Sequence, residues 1–234
     1  MFKSYVLKSK SFIDFLYMFI SNIIKKGFGF VREIILAYFF GSSMVYANFL
    51  LLKTAADLFS ELTQGSALQA SLLANFSSLY VKGHKVSLSN VLVFSKNLAW
   101  KIFLVSQLIQ IPLVFYISPE NFWLFIMISL VFGVVISSNF FSSIFLIVIQ
   151  GKGDFKKFSI STTVDMFVST VLLYPLSLMF GVIGIAVSRV AGLGFLIYKY
   201  FTPIFKETEG DKISFGMKDI NLSIMLLGNF ANII

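Results

Sequence analysis

Apolar stretches of twenty or more residues recur along this chain. A helix of about 20 residues is what the ~30 Å hydrocarbon core of a bilayer requires. Read at that length, the sequence predicts six complete spans at about 12–40, 44–81, 90–117, 121–150, 157–180 and 182–203, with a seventh opening near 217 and cut at Ile234. With 57% hydrophobic and 13% charged residues among 234, the chain has too little polar surface to coat a soluble globule. The expectation is an all-α integral membrane protein without β-sheet.

Other classes fall away on the same reading. No Cys is present, so no disulfide, zinc or iron–sulfur framework is expected. The single His84 lies between Gly83 and Lys85 in a short polar loop and reads as solvated rather than catalytic. Lys8 and Lys10 precede the apolar Phe12–Ile24 as in a signal peptide, but Lys25-Lys26 follows where small cleavage-site residues would stand. The segment therefore reads as a retained first span.

Basic residues between spans alternate from side to side. Lys3, Lys8 and Lys10, then Lys82 and Lys85, then Lys152, Lys156 and Lys157, then Lys199, Lys206, Lys212 and Lys218 fall on one side. The alternate connections around Gly41–Ser43, Ser118–Asn121 and Gly181–Gly184 carry neither Lys nor Arg. The positive-inside rule then places the N-terminus in the cytoplasm, as expected of a multi-pass protein of a bacterial cytoplasmic (inner) membrane. This bias accounts for most of the +8 net charge without nucleic acid, for which no soluble basic module is present.

The first span carries the anomaly. Lys25, Lys26, Arg32 and Glu33 sit in the run Lys25-Lys26-Gly27-Phe28-Gly29-Phe30-Val31-Arg32-Glu33, between apolar flanks. Four such groups facing lipid would cost roughly 10 kcal/mol, at roughly 2.5–3.5 kcal/mol each. Helical spacing gathers Asn22, Lys25, Lys26, Gly29, Arg32 and Glu33 into one stripe, and Lys53, Asp57, Glu61 and Gln64 into another on span two. Two readings are open. Either both stripes line a wet cavity on adjacent helices, or they are interfacial helix ends held by local pairs such as Lys53–Asp57. A basic cavity would imply an anionic passenger. Gly27 and Gly29 either break the first span or leave it long and tilted, and Pro175 is expected to kink span five. Asp165 and Arg189 read as an ion pair between two antiparallel helices, with a coupling-ion or substrate contact as the alternative. Gly181, Gly184, Ala186, Ser188, Ala191, Gly192 and Gly194 allow close helix approach in span six.

The run Gly29-Phe30-Val31-Arg32-Glu33-Ile34-Ile35-Leu36-Ala37-Tyr38-Phe39-Phe40-Gly41 resembles the opening motif of the MurJ/MviN lipid II flippases, of the multidrug/oligosaccharidyl-lipid/polysaccharide exporter superfamily. Gln64-Gly65-Ser66-Ala67-Leu68 resembles that family's Glu-Gly-Ala segment. Leu146–Phe155 resembles the turn into its fifth helix. The resemblance implies that residues 1–210 form a six-helix lobe and 211–234 the start of a second lobe, the two enclosing a cationic cavity. It implies further that Arg32 and Glu33, with Lys26 and Ala37 beside them, hold the diphosphate of a polyprenyl-diphosphate-linked saccharide, most simply lipid II of peptidoglycan synthesis; Lys25, Lys53 and Gln64, on the polar stripes, are expected to line the same substrate site. Membrane lipid and the second lobe of the same polypeptide are the partners so implied. A flippase makes and breaks no bond, so no catalytic residue, metal or cofactor is expected.

The chain departs from the family pattern at Ala47 or Asn48, at Ser60 and Glu61 where an Arg-Arg pair falls, and at Gln64 where a Glu stands. Those departures leave room for a flippase of O-antigen or capsule repeat units. A non-transporting scaffold of cell-envelope synthesis also stays open, with the charges of span one bound to a partner helix. A multidrug exporter should carry an acidic cavity instead. The apolar ending Asn229–Ile234 reads as a fragment of a longer product, the alternative being two copies assembled.

Overall fold

The computed structural model describes residues 2–41, 43–64, 69, 70, 72–74, 77 and 88–202, with the side chains of 2–11, 64 and 88–94 left aside. Almost all of them are helical, and no strand occurs among them. The helices are α1 (Phe2–Phe40), α2 (Met44–Gln64), α3 (Leu88–Ile117), α4 (Phe122–Gly151), α5 (Phe155–Phe180) and α6 (Val182–Leu196), the last running on into a π turn, Ile197–Phe201. Residues 69, 70, 72–74 and 77 are helical as well. Span two was expected to reach 81; α2 is described to Gln64, and most of residues 65–81 lie outside the described residues. The expected seventh span and the loop around His84 lie outside them too.

Four helical stretches are long and apolar enough to cross a membrane: Ser95–Ile117, Phe122–Gly151, Phe155–Phe180 and Val182–Phe201. α1 and α2 are long enough, but their polar residues keep them out of that class. The outer surface agrees with a lipid environment. Phe12, Phe30, Leu108, Phe115, Trp123 and Met179 are each more than half exposed, an apolar coat that a water-soluble monomer does not carry.

Each helix stops where the backbone chemistry changes. Gly41 closes α1 with its amide donating to the Ala37 carbonyl at 3.1 Å, and a Cβ there would stand 2.6 Å from that oxygen. After α4, Gly153 adopts φ 75° and Asp154 caps α5, its Oδ1 accepting from the Lys157 amide at 3.0 Å. Gly181, at φ 56°, turns α5 back into α6 with no longer loop. α1 runs unbroken through Gly27 and Gly29, and α5 through Pro175. The two glycines cost about 1 kcal/mol each in helix propensity. Breaking the helix between apolar flanks would instead strand several backbone groups without water, which costs more.

α4 is the hub. It is the most apolar helix and buries Phe125, Ile128, Phe132, Ile136, Phe140, Ile144, Phe145 and Val148. It packs on α3 and α2 on one side and on α6 on the other. α6 in turn packs closely on α5, and α5 carries α1. Two triplets result, α2–α3–α4 and α1–α5–α6, joined through α4 and α6. Polar clasps fix both. Gln107 Nε2 donates to the Ser129 carbonyl at 3.1 Å, and Ser129 Oγ returns a bond to Gln107 Oε1 at 3.2 Å. Across α1 and α5, Ser21 Oγ donates to the Ser159 carbonyl at 3.1 Å and shares a 2.6 Å hydrogen bond with Thr163 Oγ1. Interhelical bonds of this kind contribute about 0.6–2 kcal/mol each in lipid. The π turn at the end of α6 seats Phe201 in the core, its ring 5.1 Å from that of Phe145.

The α5–α6 contact depends on absent side chains. A Cβ on Gly184 would lie 2.1 Å from the Leu176 carbonyl oxygen, and one on Gly192 would lie 2.9 Å from Asp165 Oδ1. Gly194 faces open space. Gly184→Ala should therefore cost about 1–3 kcal/mol through overpacking, whereas Gly194→Ala should be neutral or slightly stabilising. Thermal unfolding in detergent reads both; equal melting temperatures for the two variants would refute this packing.

Candidate functional site

α1 and α2 meet at the Gly41 turn and then diverge, because α1 leans on α5 while α2 leans on α4. Residues along α1 show its docking face: Ser21 on Ser159 and Thr163, Phe28 edge-on to Phe167 at 5.4 Å, Gly29 beneath Met166, and Phe39 against Tyr174 at 5.4 Å. Along α2, Phe49, Leu52 and Ala56 turn inward and are buried. An aromatic ladder closes the end nearest the turn, Phe40 to Tyr46 to Phe49 to Phe132, with ring centroids 5.7, 5.9 and 5.4 Å apart. Between the diverging walls lies a cleft of about 340 Å³.

Its walls and floor bring distant parts of the sequence together. α1 contributes Gly29, Arg32 and Glu33, and α2 contributes Lys53, Asp57 and Ser60. The floor is Phe132, Val135, Ile136 and Asn139 of α4, Met166 of α5, and Ile185, Ala186 and Arg189 of α6. Counted from Gly41 at 1.5 Å per residue, Arg32 lies about 13 Å and Lys53 about 18 Å along their helices from the turn.

Pairing differs among the three cations of the cleft. Lys53 Nζ meets Asp57 Oδ2 at 3.1 Å, one helical turn on, with both side chains well exposed. Arg189 Nη1 donates to Asp165 Oδ2 at 3.1 Å, joining α6 to α5 at the floor. Asp165 is 8% exposed, and its Oδ1 has no hydrogen-bond partner among the described residues. Arg32 is partly buried and forms no ion pair with a described residue, though Glu33, Asp165 and Arg189 lie within electrostatic reach. The cleft thus holds a guanidinium that no described carboxylate claims.

Helical phase sorts the remaining sequence candidates. Lys25 shares Arg32's face but sits seven residues earlier, about 10 Å along the axis, half-buried and outside the cleft lining. Lys26 and Ala37 share the face of Glu33 rather than that of Arg32, are exposed, and do not line the cleft. Glu61 is exposed beside it rather than in it, and the Gln64 side chain lies outside the described residues. With Glu33, Asp57 and Asp165 set against Arg32, Lys53 and Arg189, the cleft is closer to charge balance than the basic run in the sequence implied. Sequence reasoning missed Asn139 and the lining role of Ser60. Asn139 left a signal, as the sole amide in the most apolar helix before its terminal turn.

Chemically, the site offers a planar five-donor fork with open valences, a second fork held by a buried acid, and an ammonium already paired. That set suits reversible recognition of a phosphate or carboxylate. Among the described residues no group of three or more His, Cys, Asp or Glu gathers as metal ligands would.

The buried pair makes a stability prediction. Asp165→Ala should strand Arg189 and cost about 3 kcal/mol, while Asp165→Leu with Arg189→Met should recover most of that loss. Melting temperatures of the single and double variants in the same detergent provide the check. A double variant no more stable than Asp165→Ala would contradict the pairing argument.

Comparison with protein-family models, with curated proteins and with solved structures returned no match.

Proposed function

We propose that this chain is one lobe of a flippase that carries a polyprenyl-diphosphate-linked saccharide from the cytoplasmic to the outer leaflet by alternating access. The observation that carries the reading is Arg32, a guanidinium on an open cleft that forms no ion pair with a described residue; with α1 taken as a span, it lies near mid-bilayer depth. Such a charge is costly to place there and persists where a ligand or a function uses it. Six helices serve as spans in this reading, α1 and α2 included, because their polar faces meet the cleft instead of hydrocarbon. The basic connections then lie in the cytoplasm and the N-terminus with them. A second lobe, which the sequence resemblance assigns to the same polypeptide, closes the open side.

Transport needs no bond chemistry from these residues. Arg32 presents two parallel N–H donors to diphosphate oxygens, and Arg189 supplies a second fork from the floor. The opposed walls belong to helices that barely touch beyond the turn, so relative motion of α1 and α2 widens or narrows the cleft without tearing a packed core. A scaffold would instead seal Arg32 against a partner helix; the open cleft shared with α2 favours transport.

Lipid II is the simplest passenger. One observation favours a different saccharide. Ser60 lines the cleft at the position where the resembled family carries arginine, which leaves fewer cationic contacts for the head group. An O-antigen or capsule repeat unit is the alternative that this opening admits.

The test uses the full-length product in proteoliposomes with fluorescent polyprenyl-diphosphate saccharides of both kinds. Arg32→Ala should lower flipping at least about tenfold, the scale of one lost charge-assisted hydrogen-bond pair at about 1.5–3 kcal/mol. Arg32→Lys should restore only part, since it keeps charge and loses the planar fork. Wild-type rates in Arg32→Ala, with insertion verified, would overturn the proposal.

A further inference from the structure

A second concavity lies on another flank of the bundle, where α3, α4 and the π turn meet. It is the larger of the two, about 670 Å³, within the range of small-molecule sites. Its walls are apolar: Trp100 and Phe103 of α3, stacked at 5.4 Å, face Val134 and Phe141 of α4 and Ile197 of the π turn. Two cations, Lys96 and Lys101, line the same groove with Asn97, and no described acidic residue does. Both lysines are exposed, and neither forms an ion pair with a described residue. Lys199, at the same end of the bundle, is engaged instead with the rings of Phe195 and Tyr200 at 5.4 and 5.9 Å.

Depth decides what can reach this groove. Counting back from Ile117 at 1.5 Å per residue, Lys101 lies about 24 Å and Lys96 about 31 Å from the outer end of α3. Across a ~30 Å core, that places the two ammonium groups at the opposite head-group boundary, with apolar walls running from them into the hydrocarbon. Trp100, 62% exposed between the lysines, is at the level where tryptophan anchors membrane proteins. Lys152, Lys156 and Lys157 leave the bundle at the same end, so this is its basic side.

We propose that this groove binds one anionic glycerophospholipid, its phosphate between Lys96 and Lys101 and an acyl chain along Phe103, Val134 and Ile197. Charge complementarity selects the occupant. Two unpaired ammonium groups at an interface favour an anionic over a zwitterionic head group by about fivefold each, and the apolar walls below them match an acyl chain better than a soluble anion. Ser138, on the same wall, places a hydroxyl where ester carbonyls would pass; that of Ser137 donates to the Val134 carbonyl. The proposal stands apart from the flippase reading, since it uses neither the cleft nor Arg32.

The chain supplies its own reporter. It has two tryptophans, Trp100 and Trp123, so Trp123→Phe leaves Trp100 alone in the groove. The full chain is reconstituted in vesicles of phosphatidylcholine and phosphatidylglycerol, one of which carries bromine on its acyl chains. Brominated phosphatidylglycerol should quench Trp100 with an apparent association constant at least about fivefold above that of brominated phosphatidylcholine. Adding Lys96→Gln and Lys101→Gln should bring that ratio to about one, whereas Lys96→Arg with Lys101→Arg should keep it. In Trp100→Phe, the remaining Trp123 should show no preference. Equal quenching of Trp100 by the two lipids would overturn the proposal, as would a preference that survives the glutamine pair or appears equally at Trp123. Quenching by neither lipid would mean that polypeptide covers the groove, and would overturn it as well.

Discussion

A charged side chain in hydrocarbon costs several kcal/mol unless water, a counter-charge or a ligand meets it, and with α1 and α2 as spans, as the proposed function has them, the arrangement of this bundle follows from that cost. Arg32, Glu33, Lys53 and Arg189 all sit on helices surrounded by apolar sequence. None can turn outward cheaply. α1 and α2 therefore stand apart below their turn and direct these residues at the space between them. The remaining helices are arranged to leave that space open, with α5 holding α1 away from α2 and α4 holding α2.

Keeping a cleft open between two helices requires strong packing elsewhere. The α5–α6 contact, where glycines let backbone meet backbone, and the polar clasps of Gln107 with Ser129 and Ser21 with Ser159 make each triplet a firm unit. Asp165 is part of the same logic. Its carboxylate joins α5 to α6 by holding Arg189, and Gly192 leaves the room its second oxygen occupies. The floor of the cleft is thus rigid, while its two walls are each supported from behind. Relative motion is cheapest between those walls.

Much of this was legible in the sequence, for a physical reason. Long apolar runs closed by Gly41, Pro119, Gly153 and Gly181 leave little freedom in where helices begin and end. The expected bounds of 121–150 and 157–180 fall within one or two residues of Phe122–Gly151 and Phe155–Phe180. Helical phase likewise puts Ala37 on a different face from Arg32 and sets Lys25 one axial step too far to share a small cleft. The sequence stripe overlooked that axial distance. Which helices become neighbours was not legible, because periodicity reports the existence of a polar face and not its partner. The reading of the first two spans as walls of one cavity agrees with the cleft they share, but its floor on α4 and α6 was not foreseen. Asn139 stood out as an amide in the most apolar helix, but it and Ser60 became partners in one site only through that arrangement.

The central claim is that the face of α1 bearing Arg32 borders water and not lipid, and the cysteine-free chain permits a direct measurement. A thiol in hydrocarbon stays protonated and inert, whereas one in a hydrated cleft ionises and reacts. Single cysteines at Ser60 and Asn139, within the cleft, and at Phe30 and Ile34, on the outer face of α1, can be treated in vesicles with a charged, water-soluble maleimide. The account predicts fast labelling at Ser60→Cys and Asn139→Cys and slow labelling at Phe30→Cys and Ile34→Cys. Equal protection of all four positions, or labelling confined to Phe30→Cys and Ile34→Cys, would contradict it.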